Sequence, residues 1–106
     1  MNATLKVLEP SGLIDNINGN QLRQEVADIL EAGAETILID LTHITFMDSS
    51  GLGAMAAILQ RVRTKNAKLY LCALNDQLRI IMELTRMDKV FDIFPDRTAF
   101  NLAVGS

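Results

Sequence analysis

Tryptophan is absent from this 106-residue chain, cysteine occurs once, proline twice, and aromatic residues make up only 5% of it. So few aromatics argue against an aromatic-rich recognition surface and for aliphatic helices packed on a sheet. One cysteine excludes an internal disulfide. Cys72 lies inside the apolar run Leu69 to Ala73 with no partner at metal-site spacing, so it reads as a small buried hydrophobe in a reducing, cytoplasmic setting. The net charge of -3 and the scattered Lys and Arg residues leave no basic footprint for nucleic acid or an anionic membrane. The one short cluster, Arg61 to Lys65, falls where a helix should end, and cations there complement the helix dipole. The most continuous apolar stretch, Gly51 to Leu59, is far below the about 20 residues a membrane helix needs, and the N-terminus has no signal pattern. A Gly-rich phosphate loop followed by Lys is also missing, so Gly51-Leu52-Gly53 is a poor nucleotide signal.

What is there is a chain that is 49% apolar, mostly Leu, Ile, Val and Ala, enough for one buried core and a single domain over 1–106. Leu5 and Val7, then Leu13 and Ile14, flank Pro10-Ser11-Gly12 and read as two short strands joined by a turn. Asp15 to Asn20 reads as a loop, with Asn18 and Gln21 a capping pair for a helix carrying Leu22, Val26, Ile29 and Leu30 and closed by Gly33. Thr36 to Leu41, apolar on both faces, is expected to be an interior strand. After Thr42 to Met47 a second helix places Leu52, Met55, Ala56, Leu59 and Val62 on one stripe, and Lys68 to Ala73 returns to strand, which implies a parallel pair. Asn75 and Asp96 are N-cap candidates for two later helices, with a short strand at Phe91 to Phe94 between them. The expected architecture is α/β: a mixed sheet of about five strands, the central ones parallel, with four to five helices mainly on one side.

The chemistry concentrates at Asp48-Ser49-Ser50-Gly51, where the second helix begins and backbone amides lack intrahelical partners. Such an end favours anions, so a phosphate there need not unfold the domain. Asp and Ser before a helix are also ordinary caps, but two serines exceed what capping needs. If Asp48 or Ser49 caps, the Ser50 hydroxyl is free to accept a phosphoryl group. Gly53, Ala54, Ala57 and Arg61 follow on a face expected to lie opposite the apolar stripe, small enough for another backbone to approach, although alanine also simply favours helix.

Phe46-Met47-Asp48-Ser49-Ser50-Gly51-Leu52-Gly53, following the strand Ile37 to Leu41, resembles the signature of bacterial anti-sigma factor antagonists, the STAS domain family. Gly12 to Asp15 resembles its second-strand motif and Lys68 to Leu74 its fourth strand, so the likeness spans almost the whole chain. It implies a STAS-like fold and partner switching in transcription regulation. The unphosphorylated domain binds an anti-sigma factor serine kinase and frees a sigma factor; phosphorylation breaks the complex, and a serine phosphatase resets it. No cofactor is implied for this chain, since ATP and magnesium belong to the kinase. Ser50 matches the phosphoacceptor, with Ser49 the alternative, and Asp15 and Asp48 match acidic positions near the kinase contact. The partner-binding set is then Asp15, Asp48, Ser49, Ser50, Gly51, Gly53, Ala54, Ala57 and Arg61. Leu13 departs from the family, many of whose members are acidic there.

Other readings use the same residues differently. The same module could serve a signalling pathway without a sigma factor. A hydrolase would use Ser50 as nucleophile, His43 as base and Asp40 or Asp48 as orienter, but its elbow needs Gly two residues before the nucleophile, where Asp48 stands. A phosphoaspartate receiver would need paired acidic residues after its first strand, and Leu8-Glu9-Pro10 offers one. A small nucleotide-binding domain is the weakest of these.

Overall fold

A computed structural model describes residues 4–105. Four strands, β1 (Leu5–Leu8), β3 (Thr36–Asp40), β5 (Lys68–Cys72) and β6 (Asp92–Phe94), form one sheet in the order β1-β3-β5-β6, every pair parallel. Two more, β2 (Ser11–Ile14) and β4 (His43–Met47), pair with each other, also in parallel. The expected mixed sheet of about five strands thus resolves into four plus two, with no antiparallel pair among the described residues. Neither β1 with β2 nor β3 with β4 makes the antiparallel pairing that a tight hairpin would impose. Glu9-Pro10 and Leu41-Thr42 interrupt both chains at the same level, and Pro10, which has no N–H to give a ladder, stands at the break.

The expectation for Thr36 to Leu41 holds, because β3 lies inside the sheet and alternates its side chains between two cores. Ile37, Ile39 and Leu41 join the larger one, with Leu69 and Leu71 of β5. That core is roofed by α1 (Asn16–Glu31), α2 (Ser49–Thr64) and α3 (Asp76–Leu84). Leu38 and Cys72 face the other way, under Phe100 of the short α4 (Arg97–Phe100), which runs into a π-helical turn over Asn101–Gly105. Three of the five aromatics gather here: Tyr70, Phe94 and Phe100 meet pairwise with ring centroids 5.5 to 5.8 Å apart, tilted or edge-on as ring quadrupoles prefer.

Local signals place the elements with three corrections. Thr42 to Met47 is not merely a passage into α2, because most of it is β4. Asn18 does not cap: α1 begins earlier, with Asp15 accepting the Asn18 amide at 2.9 Å, so the expected loop is already helix. On α2, Ile58 enters the core while Ala56 stays half-buried. Asn75 and Asp96 cap α3 and α4 as expected, accepting the amides of Leu78 at 2.9 Å and Ala99 at 2.8 Å.

Candidate functional site

The N-terminus of α2 is built by Asp48. Its carboxylate accepts the Gly51 N–H at 2.8 Å, and its carbonyl accepts that of Leu52 at 2.9 Å. Capping therefore needs neither serine. Ser49 and Ser50 are both exposed, and neither hydroxyl has a hydrogen-bond partner among the described residues. They occupy the first two helical positions, where the amides also lack intrahelical acceptors.

The segment is fixed from two sides. The Asp48 N–H donates to the carbonyl of Ile14, at the end of β2, at 3.3 Å. Gly51 sits so close to the same strand that a Cβ there would lie 1.9 Å from the Ile14 carbonyl oxygen. Opposite, the Gln77 side chain imitates a neighbouring strand: its Oε1 accepts the Met47 N–H and its Nε2 donates to the Met47 carbonyl, each at 3.0 Å. Asn75 donates to the carbonyls of Ile44 at 3.1 Å and Thr45 at 3.3 Å. Gln77 carried no motif signal, because its contact joins positions 30 residues apart. Asn75 was legible only as a cap.

Asp15 lies at the start of α1, beside the same corner. Its helix meets α2 closely where a Cβ on Gly19 would stand 2.7 Å from the Ala54 Cβ. That contact corrects the expected small-residue face. Gly51 and Ala54 are buried against β2 and α1, Ala57 is half-buried, and only Gly53 and Arg61 are exposed. Three apolar side chains that sequence inspection did not single out as a surface are exposed nearby. Leu13 and Phe46 are cross-strand neighbours at 46% and 47% exposure, and Ile17 on the first turn of α1 reaches 67%.

The residues a hydrolase would need are not assembled. Asp40 is buried on the aromatic face of the sheet, where it accepts from the Thr42 hydroxyl and amide and pairs with Arg97 at 3.3 Å. Burial opposes its charge, but the Thr42 and Arg97 hydrogen bonds outweigh that and hold its carboxyl below the usual range. Glu9 meets the same Arg97 at 3.0 Å. His43 is an exposed residue on β4 with no hydrogen-bonding side-chain partner among the described residues. Burial, with the Asp40 charge beside it, pushes the Cys72 thiol up to about 11, which keeps it protonated and inert as a nucleophile at neutral pH. The described residues hold no group of three or more His, Cys, Asp or Glu placed to bind a metal. No helix among them is long and apolar enough to cross a membrane.

Comparison with known proteins places this geometry. The STAS domain model matches residues 2–99. The chain is 29% identical over 83 residues to the anti-sigma-B factor antagonist of Bacillus subtilis strain 168, covering 78% of this chain and 75% of the relative. An anti-sigma factor antagonist from Mycobacterium paratuberculosis shares the fold with a TM-score of 0.83 at 24% identity, over 100% of this chain and 90% of that one. The anti-sigma factor antagonist SpoIIAA in its unphosphorylated form superimposes with a TM-score of 0.79 at 17% identity, over 99% of this chain and 92% of that one. Its phosphorylated form gives 0.70 at the same identity, over 96% and 93%. The chain belongs to the STAS domain family, and the relatives it resembles include anti-sigma factor antagonists.

Proposed function

We infer that this chain is an anti-sigma factor antagonist whose unphosphorylated form binds an anti-sigma factor serine kinase, and that phosphorylation of Ser50 ends the complex until a phosphatase removes the phosphate. The observation that carries this reading is the division of labour at the start of α2. Asp48 alone caps the helix, leaving an exposed, unbonded hydroxyl on its first turn. Ser50 is favoured over Ser49 by its place on the helix. Residues three, seven and eleven positions on are Gly53, Ala57 and Arg61, so Ser50 heads the row that leads along the accessible side of α2. A relative solved in both phosphorylated and unphosphorylated forms is in keeping with a phosphate that leaves the fold in place.

The energetics agree in sign. A phosphate adds roughly -1.5 to -2 charges and a firmly held hydration shell beside Asp48. At the helix start it meets free amides and the positive dipole end, worth about 0.3–1 kcal/mol on an exposed surface, so the domain tolerates it. At a docking interface the same charge must be desolvated, which costs several kcal/mol unless it is paired.

The test is phosphorylation of the purified chain by its kinase with ATP and magnesium, read by peptide mass spectrometry, together with calorimetric binding. Ser50→Ala is expected to abolish phosphorylation and keep kinase binding, whereas Ser49→Ala keeps both. Ser50→Asp is expected to weaken binding with an unchanged circular dichroism spectrum. Phosphate on Ser49 alone, or equal binding by Ser50→Ala and Ser50→Asp, would refute the assignment.

A further inference from the structure

Between α1 and α2 runs a groove of about 830 Å³. Asn20, Arg23 and Gln24 form one wall and Gln60, Arg61 and Thr64 the other, in each case within two turns on one side of the helix. The floor is apolar: Val26 and Ile58 are buried there, and Ala27 and Ala57 are half-buried. The rims are cationic. The lining includes Arg23, Arg61 and Lys65 but no carboxylate. Lys65 is taken by Glu31 at 2.8 Å, just beyond one end. The side-chain partner of Arg23 is the neutral Asn20 at 3.2 Å, and the Arg61 guanidinium has no acceptor among the described residues.

A groove between two helices, with small side chains at the bottom and arginines on both rims, suits a third helix that carries carboxylates along its edges. Such a helix would lay small or apolar residues on Ala27 and Ala57 and carboxylates against Arg23 and Arg61. We propose that the groove seats an acidic helix of the anti-sigma factor serine kinase, an inference that rests on the partner-switching reading above. Ser50 lies seven residues before Ala57 on α2, about 10 Å along the axis, which is beyond the Debye length of about 8 Å at physiological ionic strength. A phosphate there is largely screened from carboxylates seated in the groove, and its effect on binding rests on its own desolvation at the interface.

The experiment is calorimetric titration of the full chain with its kinase from low to high salt. The Arg23→Glu/Arg61→Glu double variant is compared with Lys6→Glu/Lys68→Glu, which changes the net charge equally at exposed positions outside the groove. The groove variant is expected to bind at least about tenfold more weakly and to lose most of the salt dependence, while the control stays near wild type. A photo-crosslinker at Gln60 is expected to capture a helical, carboxylate-bearing segment of the kinase. Wild-type affinity in the groove variant, with Ser50→Asp still disruptive, overturns the groove while sparing the partner switch. Equal loss in both double variants, or capture of a basic or non-helical segment, overturns it too. So does a groove variant that only abolishes self-association in sedimentation, which would make a second copy the occupant. A wild-type chain that binds no kinase overturns both readings.

Discussion

The two long helices begin alike and are used differently. Both α1 and α2 are 16 residues long, and both start with an Asp N-cap in extended conformation whose carboxylate takes the third amide of the helix. Both bury a glycine in their first turn, Gly19 and Gly51, at the corner where helices and strands crowd together. After the cap, α1 continues with Asn16 and the exposed Ile17, whereas α2 continues with the exposed Ser49 and Ser50. The helix end supplies an anion-tolerant setting in both cases. Only α2 adds hydroxyls that capping leaves free, so the cap is scaffolding and the residues after it carry the proposed signal.

Mutations at the two starts should sharpen that comparison. The largest effect is expected from Gly51→Ala, because the new Cβ would collide with a backbone oxygen at 1.9 Å that cannot rotate away. A loss of about 4 kcal/mol, or failure to fold, should appear in urea denaturation. Gly19→Ala meets the Ala54 Cβ at 2.7 Å, and the helices can separate slightly, so roughly 1–3 kcal/mol is expected by the same measurement. If both cost the same, the tighter packing assigned to α2 is wrong.

The caps come next. Asp15→Ala and Asp48→Ala should each cost about 1 kcal/mol in denaturant melts. Asp48→Ala should in addition alter kinase binding, which Asp15→Ala alters less if the signal resides on α2. Gly53→Ala is expected to stabilise the fold by about 0.5–1 kcal/mol, since nothing lies within 4 Å of its Cβ position and alanine is the better helix former. A destabilised Gly53→Ala chain would contradict the open surface described for that turn.

Asp40, on the far side of the sheet, provides the contrast of a carboxylate that serves no helix start. Its lowered folded-state pKa means that its contribution to stability is present above the ordinary Asp value of about 4 and is lost as pH falls through the folded value. The acid limb of a stability–pH curve should therefore be shallower in Asp40→Asn. An unchanged curve would dissociate Asp40 from acid sensitivity.

Much of this could be read before any coordinates. Ile37 to Leu41 announced an interior strand because its apolar residues occupy both parities, and Asn75 and Asp96 announced helix starts because a short polar side chain before an apolar period is the local signal for one. Asn18 misled for the same reason: it is as good a capping residue as Asp15, and only the direction of the chain leaving β2 selects between them. The small residues of α2 misled in a different way. Alanine and glycine are compatible with an open face and with a tight helix contact, and Ala54 turned out to be in contact with α1 while Gly53 is open.

By itself, the amino-acid order determined the α/β character, the helix starts and the doubled serine behind Asp48, because each is written in neighbouring residues and in periods of two or 3.6. The pairing of β2 with β4, the Gln77 clamp on Met47 and the groove between α1 and α2 were decided by folding. Each joins residues tens of positions apart, whose meeting depends on how the two cores pack and leaves no local pattern to read.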